Sequence, residues 1–150
     1  MESSLIYPTF KIRIKHENKK AYVFDEIRKK WIVLTPEEWV RQHLLNYLRE
    51  DKKVPASLIS VEKEMNLNNT KKRYDAVVYN TEAKPVLLIE CKAPDVEITQ
   101  SALEQTLRYN LILGVNFLLI TNGLKEFVVA LENGKEKLLP ELPDYSHLTA

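Results

Sequence analysis

Val86-Leu87-Leu88-Ile89-Glu90-Cys91-Lys92 decides the fold class. Its first four residues are all apolar, so both faces of the segment are covered, the pattern of a central strand lying between two layers. The run then ends in charge. Side chains alternate along a strand, so Glu90 and Lys92 share a face while Cys91 points the other way. An E-x-K triplet alone carries little information, because Glu17 to Lys19, Glu50 to Lys52 and Glu82 to Lys84 repeat it. Only Glu90 to Lys92 terminates a buried run, and only it follows another apolar strand, Tyr74 to Tyr79, that carries an acid, Asp75. The pattern is D-x14-E-x-K, with three charges expected to converge at one end of a sheet.

Outward from this strand, Ser57 to Val61 reads as a further strand, and breakers at Asn66 to Thr70 and Asn80 to Pro85 separate the three. Thr99 to Leu113 reads as a helix, begun after Pro94-Asp95, closed by Gly114 and buried through Leu103 and Leu107. Asn116 to Thr121 and Lys125 to Leu131 form a hairpin around Asn122-Gly123. In the other direction, Thr35-Pro36-Glu37-Glu38 starts a helix that runs to about Arg49, with Thr35 as N-cap and Glu38 closing a capping box. Val40, Leu44, Tyr47 and Leu48 share its inner face; Glu37 falls on that face and Glu38 at its edge. Phe10 to Lys15 alternates apolar and basic residues, His16 to Lys20 turns, Ala21 to Phe24 returns, and Trp31 to Leu34 adds a short strand. The tail from Leu138, with Pro140 and Pro143, shows no period.

These elements predict one α/β (α+β) domain over 1–150: a β-hairpin extension (1–34), a mixed sheet flanked by helices (36–131) and an irregular tail (138–150). The 150 residues suit a single core, and 45% hydrophobic with 29% charged residues is a globular balance. The longest stretch without charge, Tyr109 to Leu124, is 16 residues and is interrupted by glycine and asparagine, so no membrane span is expected. Met1 to Phe10 lacks the pattern of a secretory signal, which makes the cytoplasm the expected compartment. A single cysteine excludes an internal disulfide and a multi-cysteine zinc site, and His16, His43 and His147 lack ligand spacing. Net charge is +1, yet Lys11 to Lys30 alone carries +5. That balance permits a nucleic-acid partner without requiring one.

Asp75 and Glu90 on adjacent strands form a donor set that suits Mg²⁺, which needs few protein ligands and keeps several waters. Such an ion polarises a phosphate and acidifies a bound water. Lys92 would orient that water or neutralise developing charge. On the following helix, Gln105 and Tyr109 stand at i and i+4 and form one polar stripe.

Arg73-Tyr74-Asp75, Leu87 to Pro94, Gln105-Thr106-Leu107-Arg108-Tyr109-Asn110 and Thr121-Asn122-Gly123 together resemble the N-terminal nuclease domain of type I restriction enzyme R subunits, within the PD-(D/E)xK phosphodiesterase superfamily. The resemblance spans roughly Pro36 to Leu131 and implies a restriction-endonuclease-like fold. It implies that Asp75 and Glu90 are metal ligands, with the Cys91 carbonyl as a further one, that Lys92 is the catalytic lysine, and that Gln105 and Tyr109 form the family's QxxxY element near DNA. It also implies a glutamate from the first core helix, Glu37 ranking above Glu38. Mg²⁺ is the implied ion, with Mn²⁺ as an alternative. DNA, a second copy of the chain and other restriction-system subunits are the implied partners. Tyr74 stands where the superfamily name has proline. The family domain precedes an ATP-driven translocase, but Gly114, Gly123 and Gly134 cannot form a phosphate loop, so no ATP site is expected in this chain.

Lys71, Lys72 and Arg73 are candidate DNA contacts close to Asp75. Glu62 is a secondary candidate for the acidic cluster. Trp31 and Trp39 read as core residues rather than base-stacking platforms, and Cys91 as a small buried side chain. The leading expectation is a Mg²⁺-dependent DNA endonuclease; the alternative is an inactive DNA-binding or assembly module serving a separate motor or specificity subunit.

Overall fold

A computed structural model describes residues 4–67 and 69–150. Met1 to Ser3 and Asn68, which the readings of the N-terminus and of the Asn66 to Thr70 break include, lie outside the described residues. The chain begins with a three-stranded antiparallel sheet, β1 (Ile14–Glu17), β2 (Lys20–Asp25) and β3 (Lys30–Val33). The extension is therefore a three-strand meander rather than a hairpin with a separate strand. Its first turn is Asn18-Lys19, both at positive φ, which suits the twist of a two-residue hairpin and confines the strand to Ile14 onward.

Helix α1 (Pro36–Glu50) follows, with the Thr35 hydroxyl accepting from the Glu38 N–H at 3.0 Å. A six-stranded sheet comes next, in order β4 (Ile59–Leu67), β5 (Thr70–Tyr79), β6 (Pro85–Cys91), β7 (Phe117–Thr121), β8 (Glu126–Glu132) and β9 (Lys135–Leu139). Every neighbouring pair is antiparallel except β6 and β7, which are parallel and joined through helix α2 (Gln100–Leu113). Helix α1 covers one face through Val40, Leu44, Leu45 and Leu48; α2 covers the other through Leu103 and Leu107. β6 lies between these layers and its residues from Val86 to Cys91 are all buried. The mixed sheet flanked by helices is thus as the apolar run implied.

The segment beyond Leu131 is more ordered than its sequence suggests. Asn133 and Gly134, at φ 53° and 76°, make a tight turn that returns the chain as β9. A short helix, α3 (Tyr145–Leu148), then places Leu148 in the core beside Leu142. At the β7–β8 turn, Gly123 has φ 84°, and a Cβ there would come within 2.7 Å of Leu5. Only glycine fits that approach. No helix among the described residues is long and apolar enough to cross a membrane.

Candidate active site

Glu90 and Lys92 leave β6 on the α2 side and line a cavity of about 160 Å³ together with Gln105, Thr106 and Tyr109 of α2. The alternation of β6 and the i, i+4 stripe of α2 thus meet as their periods require. Glu90 is 7% exposed. One of its oxygens accepts from Thr106 Oγ1 at 3.3 Å and the other is paired with the Lys72 ammonium. Lys92 is exposed and has no ion-pair partner among the described residues. Asn122 anchors the loop after Lys92 by donating to the Val96 carbonyl at 2.8 Å, a physical role for the Thr121-Asn122-Gly123 motif.

Asp75 does not line this cavity. It opens toward α1, into a second space bordered by Glu37, Arg41 and Glu62. The cause is a reversal of face in both β4 and β5. Tyr74 packs on the α2 side and Ala76 on the α1 side, although they are two residues apart; Val61 and Met65 show the same switch on β4. Glu62 marks the point with φ 55°, a conformation that costs a non-glycine residue about 1 kcal/mol or more. Beside it the β5–β6 pairing ends at Ala76 and Ile89. Asp75 fills the fork: its Oδ2 accepts the Cys91 N–H at 2.7 Å. The aspartate therefore touches the main chain between Glu90 and Lys92 while its side chain looks to the opposite side of the sheet.

A buried ionic chain holds this arrangement. Arg28 donates to Asp25 Oδ2 at 2.8 Å and to Glu38 Oε1 at 3.2 Å. Arg41 donates to both oxygens of Glu38 at 2.9 and 2.6 Å, to Asp75 Oδ1 at 3.2 Å and to Glu62 Oε1 at 3.3 Å. Burial opposes charge on Asp25 and Glu38, but hydrogen bonds from Arg28, Arg41 and Gln42 outweigh it and hold both carboxyls below the usual range. Glu38 is 3% exposed, and its side chain is committed to these guanidinium groups rather than to the reciprocal half of a capping box. Glu37 is exposed and faces the Asp75 cavity. Arg41 was not among the sequence candidates; its spacing of three from Glu38 was the available signal.

The basic run beside Asp75 is engaged with acidic side chains. Lys71 pairs with Glu64 at 3.5 Å, Lys72 with Glu90, and Arg73 with Glu62 at 2.6 Å. Cys91 is buried, and burial pushes its thiol well above the ordinary value.

Burial raises the Asp75 carboxyl to about 6; the Cys91 N–H and Arg41 oppose the rise, and the charges of Glu37 and Glu90 add to it. Burial is the larger cause of that rise and the acidic neighbours the smaller, and a cation beside the carboxylate would offset both. The Tyr74 hydroxyl, fully buried and raised by burial and by the charge of Glu90, has no hydrogen-bond partner in the protein. A hydrated hard cation suits both features, although no three metal-ligating side chains cluster among the described residues.

The raised value has a sign. An acid whose folded pKa lies above its unfolded one favours folding most below the unfolded value, and that contribution is lost as pH rises through 6. Asp75→Asn, which preserves an acceptor for Cys91, is therefore expected to raise Tm at pH 7.5 by about 5 °C, within the limit of about 3 kcal/mol that the shift allows. The gain should shrink toward pH 4 in thermal melts. An unchanged or lowered Tm at pH 7.5 would contradict it.

Among solved structures, the chain is similar to an HsdR subunit fragment of a type I restriction enzyme from Vibrio vulnificus YJ016, at 22% identity and TM-score 0.58 over 77% of this chain and 25% of that one. The chain thus spans about a quarter of that relative's length. It is also similar to a DUF820 protein from Anabaena variabilis ATCC 29413 described as a candidate nuclease, at 14% identity and TM-score 0.53, covering 89% of this chain and 86% of that one. A weaker likeness, with TM-score 0.45, is to DrdV solved in a complex with DNA, at 16% identity over 70% of this chain and 10% of the other. No curated protein matches the sequence. The family of type I restriction enzyme R protein N termini (HSDR_N) matches residues 36–143, which take in α1, the whole six-stranded sheet and α2. With the fork at Asp75 and the Glu90 to Lys92 strand end inside that span, the chain belongs to the HSDR_N family, the nuclease-like N-terminal domain of restriction enzyme R subunits.

Proposed function

We propose that this domain is a metal-dependent DNA endonuclease that hydrolyses phosphodiester bonds. One observation carries the reading: the Asp75 carboxylate is bonded to the N–H of Cys91, the residue that separates Glu90 from Lys92. Two acids and an ammonium are thereby tied to one strand end. Asp75, Glu90 and the Cys91 carbonyl are the groups that would hold Mg²⁺ or Mn²⁺; since Asp75 opens toward α1 and Glu90 toward α2, sharing one ion requires a carboxylate to swing off its present partner, Arg41 or Lys72. Bound there, such an ion supplies Lewis-acid stabilisation of the phosphate and acidifies a water. Lys92, unpaired and open to the cavity, is placed to hold a phosphate oxygen or orient the nucleophile. Gln105 and Tyr109 line the opposite wall and position the DNA strand, while Thr106 fixes the Glu90 carboxylate. Glu37 supplies a further acid from α1.

Purified protein incubated with plasmid, linear duplex and single-stranded DNA tests the proposal. Cutting is expected with Mg²⁺ or Mn²⁺, none with EDTA, and none above background in Glu90→Gln. Equal cutting by Glu90→Gln would assign the activity to a contaminant. Two-strand cutting would call for a homodimer or for other restriction-system subunits.

A second reading rests on a specific contact. Lys72 already neutralises Glu90 and Arg41 already neutralises Asp75, which suits a domain that binds DNA or docks a motor subunit without cutting. DNA affinity in EDTA combined with no cleavage under any divalent ion would favour it.

A further inference from the structure

The outer face of the N-terminal sheet interleaves aromatic rings with cations. Cross-strand pairing places Tyr22 opposite Lys15, Phe24 opposite Trp31, and the Phe24 N–H on the Arg13 carbonyl at 2.9 Å. Because directly opposed residues share a face, Arg13, Lys15, Tyr22, Phe24 and Trp31 stand on one side. Val23 and Asp25, fully buried, occupy the other. Trp31 is half-buried on this outer face rather than a core residue. The Arg13 guanidinium lies 4.3 Å from the Phe24 ring centre and 5.5 Å from that of Trp31, and the Lys15 ammonium lies 4.7 Å from Trp31. The two cations are 57% and 39% exposed, and their acidic partners, Glu26 at 3.9 Å and Glu17 at 3.2 Å, are solvent-exposed pairs of small energy.

We infer that this face is a platform for single-stranded DNA: Arg13 and Lys15, which lie over the rings in the free protein, swing outward to the phosphates, and unpaired bases take their place on Trp31, Phe24 and Tyr22. Alternating rings and cations are what a stretch of unpaired nucleotides needs, since every base has a π-face and every link a charge. Paired bases inside a duplex cannot reach the rings. The segment from Lys11 to Lys30 carries net +5, so its field attracts the strand whose bases the rings accept. Tyr22 and Phe24 stand two residues apart on one strand, about 7 Å, so the platform accommodates two or three nucleotides. This sheet lies before residue 36, where the family match begins. The choice of DNA over another polyanion rests on the proposed nuclease reading.

Fluorescence anisotropy of a labelled 15-nucleotide oligo-dT, measured with EDTA so that no cleavage intervenes, tests the platform. The intact protein is expected to bind oligo-dT more tightly than a 15-base-pair duplex. Trp31→Ala should weaken oligo-dT binding about 10-fold and duplex binding by less than about 2-fold, and Trp31→Phe should restore it to within about 3-fold of the parent. The doubly exposed variant Arg13→Gln/Lys15→Gln, which disturbs no buried group, should reduce the slope of log K against log salt by about one unit. Equal affinity for duplex, or oligo-dT binding unchanged in both Trp31→Ala and Arg13→Gln/Lys15→Gln, overturns the inference. Cleavage by Mg²⁺-supplemented protein with oligo-dT binding indifferent to these variants would remove the platform and leave the nuclease reading. Dependence on them without cleavage would do the reverse.

Discussion

Lys92→Ala is expected to lower the rate of Mg²⁺-dependent plasmid cleavage by about 1,000-fold while moving Tm by less than about 2 °C. A group that supplies a proton or a positive charge only as the phosphate reacts accounts for two to four orders of magnitude in rate. Lys92 is exposed and supports no buried acid, so its loss leaves nothing uncompensated in the fold. Rate and stability are therefore separable at this position, which they are not at Glu90, whose carboxylate is 7% exposed and paired with Lys72. Single-turnover cleavage and thermal melts on the same preparation make the comparison. A fall in rate below tenfold would remove Lys92 from the chemistry.

Arg41→Ala is expected to have the largest effect on stability, about 3–5 kcal/mol, or a drop in Tm of roughly 10 °C or more. Its guanidinium is the shared partner of Glu38, Glu62 and Asp75, and removing it leaves a carboxylate of 3% exposure with Arg28 and Gln42 alone. The pH dependence has a definite sign. Glu38 has a folded pKa below its unfolded value, so the stabilisation Arg41 gives it is full above about pH 4.5 and fades as pH falls through the folded value. The gap in stability between the parent and Arg41→Ala should therefore narrow in acid, as the Asp75→Asn gap does, but here it is a loss rather than a gain. A Tm loss under about 2 °C at pH 7 would show that the ionic chain contributes little.

Local signals carried most of the architecture. The apolar run at Val86, the Thr35 cap, the Gly114 helix stop and the Asn122-Gly123 turn each act within a few residues, and the elements they mark are present. β9 was missed because Lys135-Glu136-Lys137 hides its alternation under charge, although Asn133-Gly134 is the same type of turn signal. Within the site, Glu90, Lys92, Gln105 and Tyr109 share a cavity because strand and helix periods suffice to put them there. Asp75 escapes such reasoning. The reversal of face at Glu62 and Asp75 depends on tertiary packing, and it turns Asp75 toward α1 and Lys72 toward Glu90. For Arg41 the i, i+3 spacing from Glu38 signals one of its acids, but Glu62 and Asp75 come from β4 and β5, which no spacing within α1 announces.

The chain of charges from Asp25 through Arg28, Glu38 and Arg41 to Asp75 crosses the point where the family domain begins, at residue 36. Homology and electrostatics therefore draw the frontier of this domain in different places. Cutting the polypeptide at the homology frontier would amputate one guanidinium from a shared circuit, so the smallest unit expected to fold on its own reaches back far enough to include the loop that carries Asp25 and Arg28.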